Sequence, residues 1–113
     1  MLKNLRASNP INAMLNYAYA VLLTDVRIKA IADGYDPMLG ILHDQKAKKK
    51  ELTPSFALDL MEPLRPVVDR AVLRLIREET FTGADFVLQS DGVCRLNPEL
   101  ARRMTQSVHQ ALV

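Results

Sequence analysis

Residues 13–23 carry one strongly polar side chain, Asn16, in a run otherwise made of Ala, Met, Leu, Tyr and Val. A helix this apolar on every side cannot rest on a surface, because its whole circumference has to leave water. The rest of the chain must therefore cover it on several sides, and the run is expected to be the central helix of the fold. Its start lies just ahead. Ser8 and Asn9 offer oxygen acceptors to first-turn N–H groups, and Pro10 has no N–H to lose. Gly34 is the expected stop. With 113 residues, 49% hydrophobic and 25% charged, the chain has enough material for that cover and for one core. The same figures exclude a disordered tail and a collagen-like chain.

The covering elements can be read in order. Asp36 and Pro37 open a short helical turn through Met38, Leu39, Ile41 and Leu42 that ends near His43. Residues 44–53 set Lys46, Lys48, Lys49 and Lys50 against Asp44 and Glu51 with no hydrophobic period, which predicts an exposed, mobile loop. From Ala57 the apolar positions Leu60, Met61, Leu64, Val67, Val68, Ala71, Val72, Leu75 and Ile76 follow the spacing of one long amphipathic helix. Pro63 and Pro66 each remove a backbone donor and crowd the preceding turn, so a kink is expected between Met61 and Val67. Phe86, Val87 and Leu88 face Val93 and Arg95 across an Asp91–Gly92 turn, the signature of a small hairpin. Asn97 and Pro98 repeat the cap-plus-proline start, and Leu100, Met104, Val108 and Leu112 give a last helix its seam. The fold class is thus mainly α: a helical bundle, one domain over 1–113, with a small β-hairpin before the last helix.

Fifteen Lys and Arg against thirteen Asp and Glu leave a net charge of +2, too little to name a nucleic-acid partner by itself. Cys94 is the single cysteine, which excludes an internal disulfide and a thiolate-built zinc site and fits a reducing, cytoplasmic setting. The long uncharged run at 7–24 includes Ser8, Asn9, Pro10, Asn12 and Asn16 and is too polar for a membrane span. No P-loop, H-E-x-x-H, G-x-G-x-x-G or G-x-S-x-G motif is present.

Asp59 and Glu62 stand three residues apart, one turn from each other on one face of the long helix. Spacing alone is that of two solvated acids. Two details point further. Leu58, Pro66 and Leu73 fall near the same side and suggest something packed there, and like charges this close repel unless a cation lies between them. His43 is the natural third member, and one imidazole with carboxylate oxygens suits Mn²⁺ better than Mg²⁺. A histidine closing a helix is otherwise a cap on the helix dipole. Arg65, Arg70, Arg74 and Arg77, with the lysine loop, form either a phosphate-tracking surface or a salt-bridged solvated face. Asn12, Asn16 and Tyr19 line up on the first helix, where locking of the packing is the expected role. Arg102 and Arg103 are expected to be surface charge.

Three blocks share one source: N-P-I-N-A-M-L-N-Y-A-Y-A at 9–20, G-Y-D-P-M-L-G-I-L-H at 34–43 and A-L-D-L-M-E-P-L-R-P-V-V-D-R at 57–70. With F-T-G-A-D-F and D-G-V-C-R-L following in order, nearly the whole chain resembles the C-terminal helical domain of the CRISPR-associated spacer integrase, the universal nuclease of CRISPR adaptation. The resemblance implies a metal-dependent DNA endonuclease and integrase that joins 3′-hydroxyl ends of a captured fragment to the repeat array by transesterification. It implies His43 and Glu62 as ligands of Mn²⁺ or Mg²⁺, with Asp59 as the neighbouring acid and catalytic partner. Arg65, Lys46, Lys48, Lys49 and Lys50 are then expected on the DNA backbone. The implied partners are the double-stranded spacer precursor and repeat, a second copy of the chain, and a small protein of the adaptation complex.

In that family a further glutamate ligand lies upstream of the 9–20 block, and here residues 1–8 hold no acid. The family's N-terminal β-domain is also expected to be missing. The isolated chain is therefore expected to bind metal poorly and to cut DNA little or not at all. The alternative reading is a noncatalytic helical module that binds DNA or a protein through its arginine-rich face.

Overall fold

The computed structural model describes residues 9–38 and 50–113. Its elements in chain order are helix α1 (Pro10–Ala32), strand β1 (Tyr35–Asp36), strand β2 (Lys50–Glu51), helix α2 (Pro54–Met61), a 3₁₀ turn (Glu62–Leu64), helix α3 (Arg65–Glu78), a second 3₁₀ turn (Gly83–Asp85), strands β3 (Phe86–Leu88) and β4 (Cys94–Leu96), and helix α4 (Pro98–Leu112). The fold is mainly helical, with an antiparallel hairpin immediately before the last helix.

Three helices start by one device. Asn9, Thr53 and Asn97 each accept a backbone N–H three residues on, and each is followed by proline at the first helical position. The start at Thr53 and Pro54 puts the long helix three residues ahead of Ala57. α1 is central, touching α2, α3, α4, β1 and β4. Its buried positions Met14, Ala18, Leu22, Val26 and Ala30 form a single ridge of every fourth residue. Met61, Val68, Val72 and Leu75 from one side and Met104 and Val108 from another close on that ridge. Leu22 is fully buried there, which makes its side chain worth about 2 kcal/mol of transfer free energy.

The expected kink is present and its cause is visible. α2 ends at Met61, a single 3₁₀ turn follows, and α3 begins at Arg65. Pro66 has no N–H to give the Glu62 carbonyl, and the Arg65 N–H takes it instead, the tighter i→i+3 bond of a 3₁₀ turn. Leu60 and Leu64, counted in the apolar stripe from their spacing, are more than a third exposed, and α2 faces the core with Ala57 and Met61 instead.

The hairpin pairs Phe86 with Leu96 and Leu88 with Cys94. Its turn closes through the Gly92 N–H on the Gln89 carbonyl, and Gly92 takes the positive φ of 83° that the Asp-Gly pair foretold. The loop at 44–53 departs from expectation at its far end. Tyr35 and Asp36 pair in parallel with Lys50 and Glu51, the Leu52 N–H bonds to the Asp36 carbonyl, and Leu52 is buried with Ala30 and Ala57. Leu52 is the one large apolar residue in a charged run, and it seats that end of the run on α1 and α2. Asp36, expected to open a helical turn, is the last residue of β1, and its carboxylate accepts the Met38 N–H at 2.8 Å. The short helical turn expected through Met38, Leu39, Ile41 and Leu42 falls, from Leu39 on, outside the described residues.

Candidate metal and nucleic-acid site

Asp59 lies in the last turn of α2, and Glu62 is the first residue of the 3₁₀ turn, so the two acids stand on either side of the point where the regular helix ends. Both are exposed. Leu58, Pro66 and Leu73 on the neighbouring surface are exposed too, and among the described residues nothing packs over them. His43 lies outside the described residues, as do Lys46, Lys48 and Lys49. Among the described residues no group of three His, Cys, Asp or Glu is placed to hold a metal ion. The described part of the expected ligand set is therefore Asp59 and Glu62, two exposed carboxylates separated by one turn, a donor chemistry that suits a hard divalent cation.

Behind Glu62 stands a set of contacts that reaches into the fold. Arg65 donates from Nη1 to Glu62 Oε1 at 2.9 Å, and its side chain is only 17% exposed against 61% for Glu62. The guanidinium lies over the ring of Tyr19 on α1, 4.8 Å from the centroid. The Tyr19 hydroxyl donates in turn to Asp69 Oδ1, on the next turn of α3. Burial, then the Asp69 hydrogen bond and charge, push the Tyr19 phenol up to about 12, with Arg65 opposing the shift. Arg65, expected on a DNA backbone, is thus held between Glu62 and Tyr19. Tyr19 stood in the Asn12, Asn16, Tyr19 row, but its link to Asp69 spans fifty residues of sequence and carries no local signal.

Lys50 is exposed in β2, with its ammonium 5.7 Å from the Tyr35 ring centroid. Arg70 and Arg74 line an open groove of about 590 Å³ between α3 and α4, whose other wall includes Ser107 and Gln110. Arg74 also pairs with Glu78 at 3.0 Å, both well exposed. Arg103, expected to be surface charge, is something else. Its guanidinium bonds Glu79 at the end of α3 and approaches Asp85 of the second 3₁₀ turn at 3.6 Å, joining three elements. Arg102 is exposed as expected. His109 of α4 pairs with Asp25 of α1 at 2.9 Å, a cross-helix contact that sequence spacing did not suggest.

Comparison with known proteins gives a consistent set of relatives. The model of the family described as CRISPR associated protein Cas1 matches residues 4–110. The CRISPR-associated endonuclease Cas1 of Leptospira interrogans is 33% identical over 99 residues, covering 88% of this chain and 37% of that protein. A Cas1 endonuclease of Thermus thermophilus is 38% identical over 106 residues, covering 93% of this chain and 32% of its own length. A solved casposase bound to integration product matches with a TM-score of 0.73 and 34% identity, over 96% of this chain and 30% of that one. The chain spans about a third of the length of these relatives.

Proposed function

This chain belongs to the Cas1 family of CRISPR-associated proteins, and from that premise we propose that it forms the metal-binding helical part of a DNA endonuclease and integrase of CRISPR adaptation. The observation that carries the reading is the pair of acids at the helix break. The fold presents Asp59 and Glu62 to solvent on successive turns, with an arginine already holding one of them. His43 and Glu62 would ligate Mn²⁺ or Mg²⁺, with Asp59 as the adjacent acid. An ion held at this place would supply Lewis-acid polarisation of a scissile phosphate and would offset charge on the attacking or leaving oxygen. The chain's own residues have other tasks. Lys46, Lys48, Lys49 and Lys50 would track the phosphate backbone, and the helix break keeps the carboxylates at the surface that DNA approaches.

The double-stranded spacer precursor and repeat are the proposed substrates, a second copy and a small adaptation protein the proposed partners, and the cytoplasm the proposed setting. Among the described residues no helix is long and apolar enough to cross a membrane. A glutamate ahead of the 9–20 block is needed to complete the ligand set, and residues 1–8 hold no acid. The 113-residue chain by itself should therefore bind Mn²⁺ weakly and cut DNA little. The test is Mn²⁺-dependent cleavage and strand joining by this chain fused behind the upstream portion of the Leptospira relative. Activity is expected from the fusion, and full activity in both His43→Ala and Glu62→Ala would reject the assignment.

The groove between α3 and α4 favours a second reading, a noncatalytic module that grips DNA through Arg70 and Arg74. Phosphate binding there should weaken steeply as salt rises, whereas an apolar protein contact should not.

A further inference from the structure

Glu62 and Tyr19 are on different helices, yet one guanidinium touches both. Arg65 reaches Glu62 Oε1 at 2.9 Å while its plane covers the Tyr19 ring at 4.8 Å, and the Tyr19 hydroxyl is fixed by Asp69 one turn along α3. The exposures run in order along this chain of contacts: Glu62 is mostly in water, and Arg65 is mostly out of it. An ordinary surface pair orders two long side chains for little net gain. Here the ring face has already restricted the arginine, and its planar fork loses little more on meeting the acid. One carboxylate oxygen of Glu62 is thereby bound, which restricts the arc open to the other.

We propose that Tyr19 and Asp69 are positioning residues that act through Arg65, holding Glu62 in the orientation in which its second oxygen meets a divalent cation. The inference rests on the reading of Glu62 as a metal ligand. It adds three residues that never touch the ion and assigns Arg65 to the acid rather than to a phosphate. Outer groups that orient a ligand in this way commonly change metal affinity by about 10-fold or more when removed.

A double-mutant cycle on the metal-free 113-residue chain, followed by heat denaturation, tests the linkage. Tyr19→Phe removes only a hydroxyl and Glu62→Gln only a charge. Their shifts in melting temperature should fail to add by about 2 °C, and additivity should return in an Arg65→Gln background. Additive shifts in the native background overturn the proposal. Arg65→Lys, which keeps the charge but not the fork, replaces Arg65→Gln should the latter not fold.

Mn²⁺ binding at millimolar chain, read from the electron paramagnetic resonance of the free ion, tests the orientation. Tyr19→Phe and Arg65→Lys should each weaken binding about 10-fold. Tighter binding by Arg65→Gln would mean that the arginine competes with the cation, and would overturn the proposal. So would a loss of binding in Glu62→Gln with none in Tyr19→Phe. If the coupling is found but Glu62→Gln leaves Mn²⁺ binding unchanged, the positioning of Glu62 stands and the metal reading falls.

Discussion

Arg65 opens α3 and Arg103 meets its far end, and the two treat their acids differently. Arg103 is 36% exposed and its partners Glu79 and Asp85 are 33% and 20% exposed, so all three are withdrawn together. Arg65 is more deeply held than Arg103, but its acid stands in solvent. A guanidinium that joins elements draws its carboxylates inward, because half-desolvated charges have to satisfy one another. One that leaves a carboxylate outside is not closing a joint. The contrast marks Glu62 as presented and Glu79 as consumed, although both are glutamates paired to arginine.

The largest effect that would sharpen this contrast is on strand cleavage by the fusion described above. Glu62→Gln should lower the Mn²⁺-dependent rate by about 100-fold or more, while Glu79→Gln leaves it within about twofold; equal losses would erase the distinction. Stability should respond in the opposite order. Arg103→Ala should cost about 2 kcal/mol in urea denaturation, since it strands two partly buried acids, and Arg65→Ala about 1 kcal/mol. A smaller loss at Arg103 than at Arg65 would show the far end of α3 to be the dispensable one.

Alkaline pH reaches one of the two clusters only. The Tyr19 phenol titrates near 12 in the fold against 10.0 unperturbed, so the unfolded chain releases its proton first. The corresponding stability is whole below pH 10.0 and is lost as pH rises toward about 12. Denaturation midpoints of the native chain and Tyr19→Phe should converge over that interval, and parallel curves would refute the assignment. The smallest change is expected at the exposed Arg74–Glu78 pair, where Arg74→Ala should cost about 0.4 kcal/mol and vanish into the baseline at high salt.

Much of the scaffold was legible because its signals are local. Asn9–Pro10 and Asn97–Pro98 start helices by side-chain capping, Asp91–Gly92 turns a hairpin, and Pro63 and Pro66 break a helix whatever surrounds them. The contacts that sequence reading missed depend on the fold being made. Nothing near Tyr19 announces Asp69, nothing near Arg103 announces Glu79, and Leu52 reads as a stray apolar residue until Ala30 and Ala57 are seen beside it. The candidate site divides the same way. The Asp59 and Glu62 spacing was visible along one helix, the restraint on Glu62 comes from another, and the place of His43 falls outside the described residues.

Two prolines three residues apart give the molecule an acidic corner made by covalent rings rather than by attraction between side chains. A bend of this origin does not relax when ions screen the surface or when a polyanion neutralises nearby cations. The carboxylates can thus keep their outward bearing through the same changes in ionic environment that weaken ion pairs at the surface.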